Sequence, residues 1–521
     1  MSCKFSLTVE TNGIITIESC MFAHGMGLDR SNKKVIIIGG GIAGLAASIR
    51  LAKSGFNIQL IEANDKVGGN IRELQAGGFR FDMGPSILTK PEYLQELFLL
   101  WNKNPDDYIR FSKVEPLFRY FFPDGSFIDS YSDRKKFEAE LNQKSGESFS
   151  HVNKHLNDSG EIFKLTHEVF LERSLHEVKN YFNWPTLRGI LRFNRVHAFQ
   201  SMHHYNRKIF KDQRLVQLFN RYASYNGSNP FEAPATLNVI THFAINSGSY
   251  LPEGGMINIS KALQKLAEEA GVQFMLKSPA IKICIKNKKV TGVETEAGFI
   301  PADVVLSNAD VHYTYQKLLP GIPMPSIVEK QPRSSSVIVF YWGINKVFPS
   351  LELHNTFFGK SDRVEYDALF KGETICDDPT VYLFNSSMMN PGDAPEGKSN
   401  WFVMITAPFD HGQDWNKITG ELKKNVLRKI SGILNENLEA LITSENILTP
   451  PMIEQKTNAW MGSIYGNSSN GIFSAFLRHS NFSRKIKGLY FCGGSVHPGA
   501  GIPLCLLSAK IASDLIVRRS R

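Results

Sequence analysis

Six residues near the N-terminus, Gly39-Gly40-Gly41-Ile42-Ala43-Gly44, constrain this chain more than any other feature. They follow a short β-branched run, Lys33 to Ile38 (KKVIII), and lead directly into the helical pattern LAASIRLAKSG. Strand, glycine turn and helix in that order predict the start of a βαβ unit whose helix N-terminus holds phosphate. Gly39 is expected to make the turn, Gly41 to let the backbone approach a pyrophosphate, and Gly44 to let the helix pack on the strand, with Ala43 in the same turn. A second strand, Asn57 to Ile61, ends in Glu62, 18 residues beyond Gly44. A carboxylate there accepts hydrogen bonds from ribose hydroxyls and repels a 2′-phosphate, so FAD or NAD is expected and not NADP.

Such a unit occupies a small part of 521 residues, so a nucleotide-binding domain joined to a substrate domain is the expected organisation. Hydrophobic residues at 42% and charged residues at 21% are those of a folded chain. The longest apolar stretch, Val35 to Ile49, is interrupted by four glycines and falls short of the roughly 20 residues of a spanning helix. Six cysteines lie scattered without a CxxC pair or metal-ligand spacing, so free thiols in a reducing compartment are expected, with neither disulfide nor metal. Residues 1–32 lack the basic and apolar regions of a signal peptide and read as a tail, with Met21 or Met26 as alternative starts.

Further motifs separate FAD from NAD. Lys66-Val67-Gly68-Gly69-Asn70-Ile71-Arg72 and Gly78-Phe79-Arg80-Phe81-Asp82-Met83-Gly84-Pro85-Ser86 follow the ribose acid. Later come Leu251-Pro252-Glu253-Gly254-Gly255-Met256, Ser307-Asn308-Ala309-Asp310, and finally Gly493-Gly494-Ser495-Val496-His497-Pro498-Gly499-Ala500-Gly501-Ile502-Pro503 ahead of a terminal helix. In this order the segments resemble the flavin amine oxidase and phytoene desaturase superfamily, and the ending resembles the carotenoid desaturases in particular. The resemblance implies FAD and an α/β fold: a Rossmann-like, glutathione-reductase-like FAD-binding domain with an inserted mixed α+β substrate domain. It places Gly69 and Arg72 near the pyrophosphate, and Gly84 and Pro85 near the flavin ring. Gly494, Ser495, Gly501 and Ile502 fall in the segment that offers backbone N–H groups to the flavin's N1 and C2 carbonyl. Asn70 stands where many members carry Arg or Lys. His497 is the one candidate acid–base group.

The expected FAD-binding domain comprises 33–90, 250–310 and 485–521, and the substrate domain 91–249 and 311–484. Ala280 to Ile285, Lys289 to Thr295 and Asp303 to Ser307 read as strands that complete the FAD domain's sheet. Val178 to Lys211 holds seven Lys/Arg and no Asp or Glu, interleaved with aromatic residues such as Tyr181, Phe182, Trp184 and Phe199. It is read as an interfacial membrane segment, against a solvated basic face as the alternative, and no nucleic acid partner is expected. The formal charge of +9 decides nothing by itself.

Ser334 to Gly343, with His354 to Phe358 and the C-terminal motif, is most similar to the 1-hydroxycarotenoid 3,4-desaturases, with phytoene desaturase the near alternative. That similarity implies a carotenoid substrate, a cytoplasmic enzyme peripherally associated with the inner face of the membrane, and quinone or oxygen as electron acceptor. The chemistry needs few catalytic side chains, because the flavin takes the hydride. Two rivals from other classes share the fold: an amine oxidase, and a lipid carrier of the GDP-dissociation-inhibitor type.

Overall fold

The computed structural model describes residues 32–177, 180, 192–471 and 478–520. The expected tail lies outside these except for Asn32, as do residues 178–179 and 181–191 of the basic aromatic segment.

Five strands form one wholly parallel sheet: β1 (Lys34–Ile38), β2 (Asn57–Ile61), β3 (Gln273–Met275), β4 (Val304–Ser307) and β5 (Leu489–Phe491). Their order across the sheet is β5-β4-β1-β2-β3. β1 is buried at four of its five positions, as a strand covered on both faces must be. Helix α1 (Ile42–Lys53) returns the chain from β1 to β2 and packs against α2 (Ile257–Glu269) and the C-terminal α3 (Ile502–Arg519). Sheet order brings the start of α1, at the end of β1, close to the turn after β5, although they are far apart in sequence.

One expectation is corrected. Of the three strands read between residues 280 and 307, only β4 joins this sheet. Ala280–Lys286 and Lys289–Thr295 pair antiparallel with each other, and with Gly298–Pro301 they make a separate three-stranded sheet. The physical reason is the connection. Asn287 and Lys288, at φ 52° and 58°, form a two-residue hairpin turn, whereas a parallel pairing needs a crossover of a dozen residues or more.

A second, seven-stranded mixed sheet runs Ile442–Leu448, Ser336–Ile344, Ser399–Ala407, Val381–Phe384, His354–Phe357, Phe118–Phe121, Phe127–Ser130. Its central strands show why an unbroken apolar run is needed. In Ser336–Ile344 every position is buried, but alternate side chains go to different places. Ile338, Phe340, Trp342 and Ile344 enter a core closed by the helix Trp415–Leu434, while Val337, Val339 and Tyr341 join the core on the other face. Trp401, Val403 and Ile405 divide from Phe402 and Met404 in the same way.

Candidate active site

The N-terminal glycine turn meets the requirements of an anion site. α1 starts at Ile42, its cap Gly41 is extended, and no side chain caps it. Its first-turn N–H groups therefore have no intrahelical acceptor. A Cβ on Gly44 would lie 2.2 Å from the Gly39 carbonyl oxygen, so no larger residue allows this approach of helix to turn. Glu62, 7% exposed at the end of β2, accepts from the Gly40 amide at 2.7 Å and from the Asn64 amide and Nδ2 at 2.9 and 2.6 Å. These donors use three of roughly four acceptor sites on a carboxylate.

The Gly68-Gly69 turn runs beside it, with Gly68 donating to the Gly40 carbonyl at 2.8 Å. Arg72 spends its donors on backbone oxygens, Nε to Gly69 at 2.8 Å and Nη2 to Lys456 at 2.8 Å. A Cβ on Gly84 would fall 1.8 Å from the Asn70 carbonyl oxygen, which explains the glycine in DMGPS.

At the other end of the chain, β5 delivers Gly493 and Gly494 alongside β4. Asn308, directly after β4, joins the two glycine turns: Nδ2 donates to the Gly39 carbonyl at 3.1 Å, and Cys492 Sγ lies 3.8 Å from Oδ1. The Ser495 hydroxyl accepts from the Val311 amide at 3.0 Å. α3 starts at Ile502 with no side-chain cap. His497 is 2% exposed, and its Nε2 lies 2.9 Å from the Arg173 carbonyl. A carbonyl only accepts, so Nε2 carries the hydrogen; burial pushes the imidazole down to about 3, which keeps it neutral.

Arg478, unremarked in the sequence, is also buried at 2% exposure. Its Nη1 donates to the carbonyls of Tyr465 at 2.9 Å and Gly494 at 3.2 Å, and its Nη2 to Asn226 Oδ1 at 3.2 Å. Burial lowers this guanidinium to about 10, and no carboxylate pairs with it among the described residues.

One cavity of about 640 Å³ connects these parts. Gly39, Gly41, Ala43, Glu62, Gly69, Arg72, Gly84, Pro85, Gly494, Ser495, His497, Gly501 and Ile502 all line it; Gly44 packs behind the wall. Asn308 and Arg478 line it too. The signal for Asn308 was the Ser-Asn-Ala-Asp segment, whereas Arg478 had none beyond a lone cation in an apolar run. Further in, the wall becomes apolar, with Phe118, Leu237, Phe243, Val339, Phe402 and Met404 among its residues. The polar end fits FAD on its donor set: uncapped first turns of α1 and α3, glycines at the closest approaches, and a buried carboxylate after β2.

Residues 42–517 match the family model described as flavin containing amine oxidoreductase. The 1-hydroxycarotenoid 3,4-desaturase of a Flavobacterium species is 45% identical over 93% of this chain and 99% of its own. The 4,4'-diapolycopene oxygenase of a Methylomonas species is 34% identical over 93% of this chain and 98% of its own. Among solved structures, cyclohexylamine oxidase from Brevibacterium oxydans superposes with a TM-score of 0.59 at 14% identity, covering 94% of this chain and 99% of that one. That likeness shows the fold alone.

Proposed function

This chain belongs to the flavin-containing amine oxidoreductases and, within them, to the FAD-dependent carotenoid desaturases, and from that premise we propose that it desaturates the C3–C4 bond of a 1-hydroxylated carotenoid. The observation that carries the reading is the near-full-length match to the Flavobacterium 1-hydroxycarotenoid 3,4-desaturase.

FAD, when bound, supplies the hydride acceptor. The chain's own residues bind, orient and exclude water. In this reading 33–90, 250–310 and 485–521 form the FAD-binding domain. Glu62 takes the ribose hydroxyls, the α1 N-terminus and the Gly69 turn take the pyrophosphate, and Gly84, Pro85, Gly494, Ser495, Gly501 and Ile502 surround the ring. Residues 91–249 and 311–484 form the substrate domain, whose apolar wall positions the polyene beside the flavin. Loss of hydride next to a conjugated chain leaves a delocalised cation, so the following proton loss needs only a weak base or water. The neutral, backbone-bonded His497 holds the turn between β5 and α3 rather than moving that proton.

Among the described residues no helix is long and apolar enough to cross a membrane. A carotenoid is dissolved in the bilayer, so the enzyme must reach it from the surface. The reading therefore includes peripheral docking on the inner face of the membrane through the basic aromatic stretch, where Phe199 is 80% exposed.

Expression in two hosts tests this, one accumulating phytoene and one accumulating 1-hydroxylated carotenoids, with chromatography and mass detection. Loss of two hydrogens from the hydroxylated substrate alone is expected. Conversion of phytoene to more conjugated products would replace the reading with phytoene desaturase.

A further inference from the structure

Three phenols that line the cavity, those of Tyr225, Tyr313 and Tyr465, meet no hydrogen-bond partner among the described residues, and the segments of two of them, Tyr225 and Tyr465, touch. Their neighbours are satisfied. Tyr382 Oη lies 2.7 Å from Ser86 Oγ and 2.8 Å from His354 Nδ1, the Tyr120 and Tyr222 hydroxyls are 3.3 Å apart, and Arg221 Nη1 donates to Ser224 Oγ at 2.7 Å. Burial pushes both phenols up, Tyr465 to about 12, so each is a neutral O–H able to donate and accept. Both residues are half-buried and line the cavity, so a ligand that displaces water there makes each hydroxyl costly unless a ligand oxygen meets it.

Their placement relates them to the chemistry. Arg478 holds the Tyr465 carbonyl, the Gly494 carbonyl and the side chain of Asn226, the residue after Tyr225. A Cβ on Gly227 would lie 2.9 Å from the Tyr465 ring, so the two segments are in close contact. Both tyrosines are therefore tied to the glycine turn after β5, and Ser86 ties Tyr382 to the Gly84-Pro85 segment on the other side.

We propose that Tyr225 and Tyr465 form a subsite for the tertiary hydroxyl of the carotenoid end group, and that this contact sets which bond faces the flavin. The inference rests on the carotenoid reading above. In a 1-hydroxylated chain the oxygen is three bonds from C3, so a subsite beside the flavin motifs engages it while C3–C4 is the bond within reach. A chain with hydrocarbon at that end leaves both phenols unpaired, and such unpaired groups are what reject an analogue lacking a hydroxyl.

The test is a ratio: kcat/KM for a 1-hydroxylated carotenoid over kcat/KM for the same carotenoid without the hydroxyl, using FAD-loaded enzyme on liposomes. The unaltered chain is compared with Tyr225→Phe, Tyr465→Phe and the double variant, which keep both rings. The ratio is expected to fall by about tenfold for each hydroxyl removed. Binding of the hydroxylated product, followed by perturbation of the flavin spectrum, is expected to weaken in parallel. A double variant that retains FAD and the full ratio overturns the subsite while leaving the hydroxylated-substrate reading standing. A ratio near one in the unaltered enzyme overturns that reading and the subsite with it. Should the double variant fail to hold FAD, each single variant decides on the same ratio.

Discussion

Arg478 faces neutral oxygens only: two carbonyls and an amide. An unpaired cation in the interior costs several kcal/mol, and burial already lowers this one to about 10. Its Nε would lie 3.2 Å from a Cβ on Gly499, so the guanidinium packs against the Pro-Gly-Ala-Gly turn that leads into α3. A fixed positive charge there stabilises the negative charge of reduced flavin more than the neutral oxidised ring. Arg478→Met is therefore expected to lower the two-electron midpoint potential of bound FAD, by about 30 mV for each tenfold loss of that preference. Arg478→Lys is expected to recover part of it. A Met variant that binds FAD at unchanged potential would leave Arg478 a purely structural donor. Nothing in the sequence marked this residue, because a lone arginine after Ile-Phe-Ser-Ala-Phe-Leu carries no spacing to interpret. The place of Glu62 was legible for the opposite reason: it follows a glycine turn and a strand, and it lies in the cavity wall bonded to the Gly40 amide.

Between elements, the clearest junction is Asp82, at the end of the strand Phe79–Asp82 and 2% exposed. Its carboxylate accepts the amides of Met256 at 3.0 Å and Ile257 at 3.4 Å, which cover the start of α2. Arg80 bonds it at 2.7 Å and also reaches Asp393 at 3.1 Å and Glu73 at 3.3 Å. Without this carboxylate Arg80 keeps Asp393 and Glu73, but the Met256 and Ile257 amides lose their acceptor, so Asp82→Ala is expected to destabilise the protein by about 1–3 kcal/mol, read as a lower denaturation midpoint with an unchanged slope. A loss below 1 kcal/mol would mean that water replaces the carboxylate. The motifs GFRFDMGPS and LPEGGM were each visible in the sequence, but their joining through one carboxylate was not, since the pairing spans a long stretch of chain. The hairpin at Asn287-Lys288 was misread because alternation reveals strands and is silent on their partners. The strand Ser336–Ile344 falls in a segment that the sequence offers only as a resemblance; its division between two cores appears when both faces are covered.

Over the whole molecule, the FAD end of the cavity could be read because cofactor geometry repeats in glycine spacing, while the apolar wall is gathered from Phe118, Phe243, Phe402 and others that carry no motif. The same gathering buries histidines in both parts of the fold. His155, His354, His479 and His497 are 0%, 1%, 6% and 2% exposed, and burial pushes them down to about 4, 3, 4 and 3. His354 lies between Phe118 and Phe384 at 5.0 and 5.1 Å, His155 meets Phe219 at 4.3 Å and His479 meets Phe491 at 4.6 Å, surroundings that disfavour the charged ring. An unfolded chain takes up these protons near pH 6.5, whereas the folded chain does so only near pH 3–4. Between those limits the unfolded state binds more protons, so stability is complete above about pH 6.5 and is lost as pH falls. Denaturant titration of the FAD-loaded protein from pH 7 to pH 5 is expected to show that loss, with a slope approaching about 1.4 kcal/mol per pH unit for each such histidine. Replacing His354 by Phe is expected to reduce the slope by about one proton's share; a stability independent of pH over this window would mean that the folded rings accept the charge.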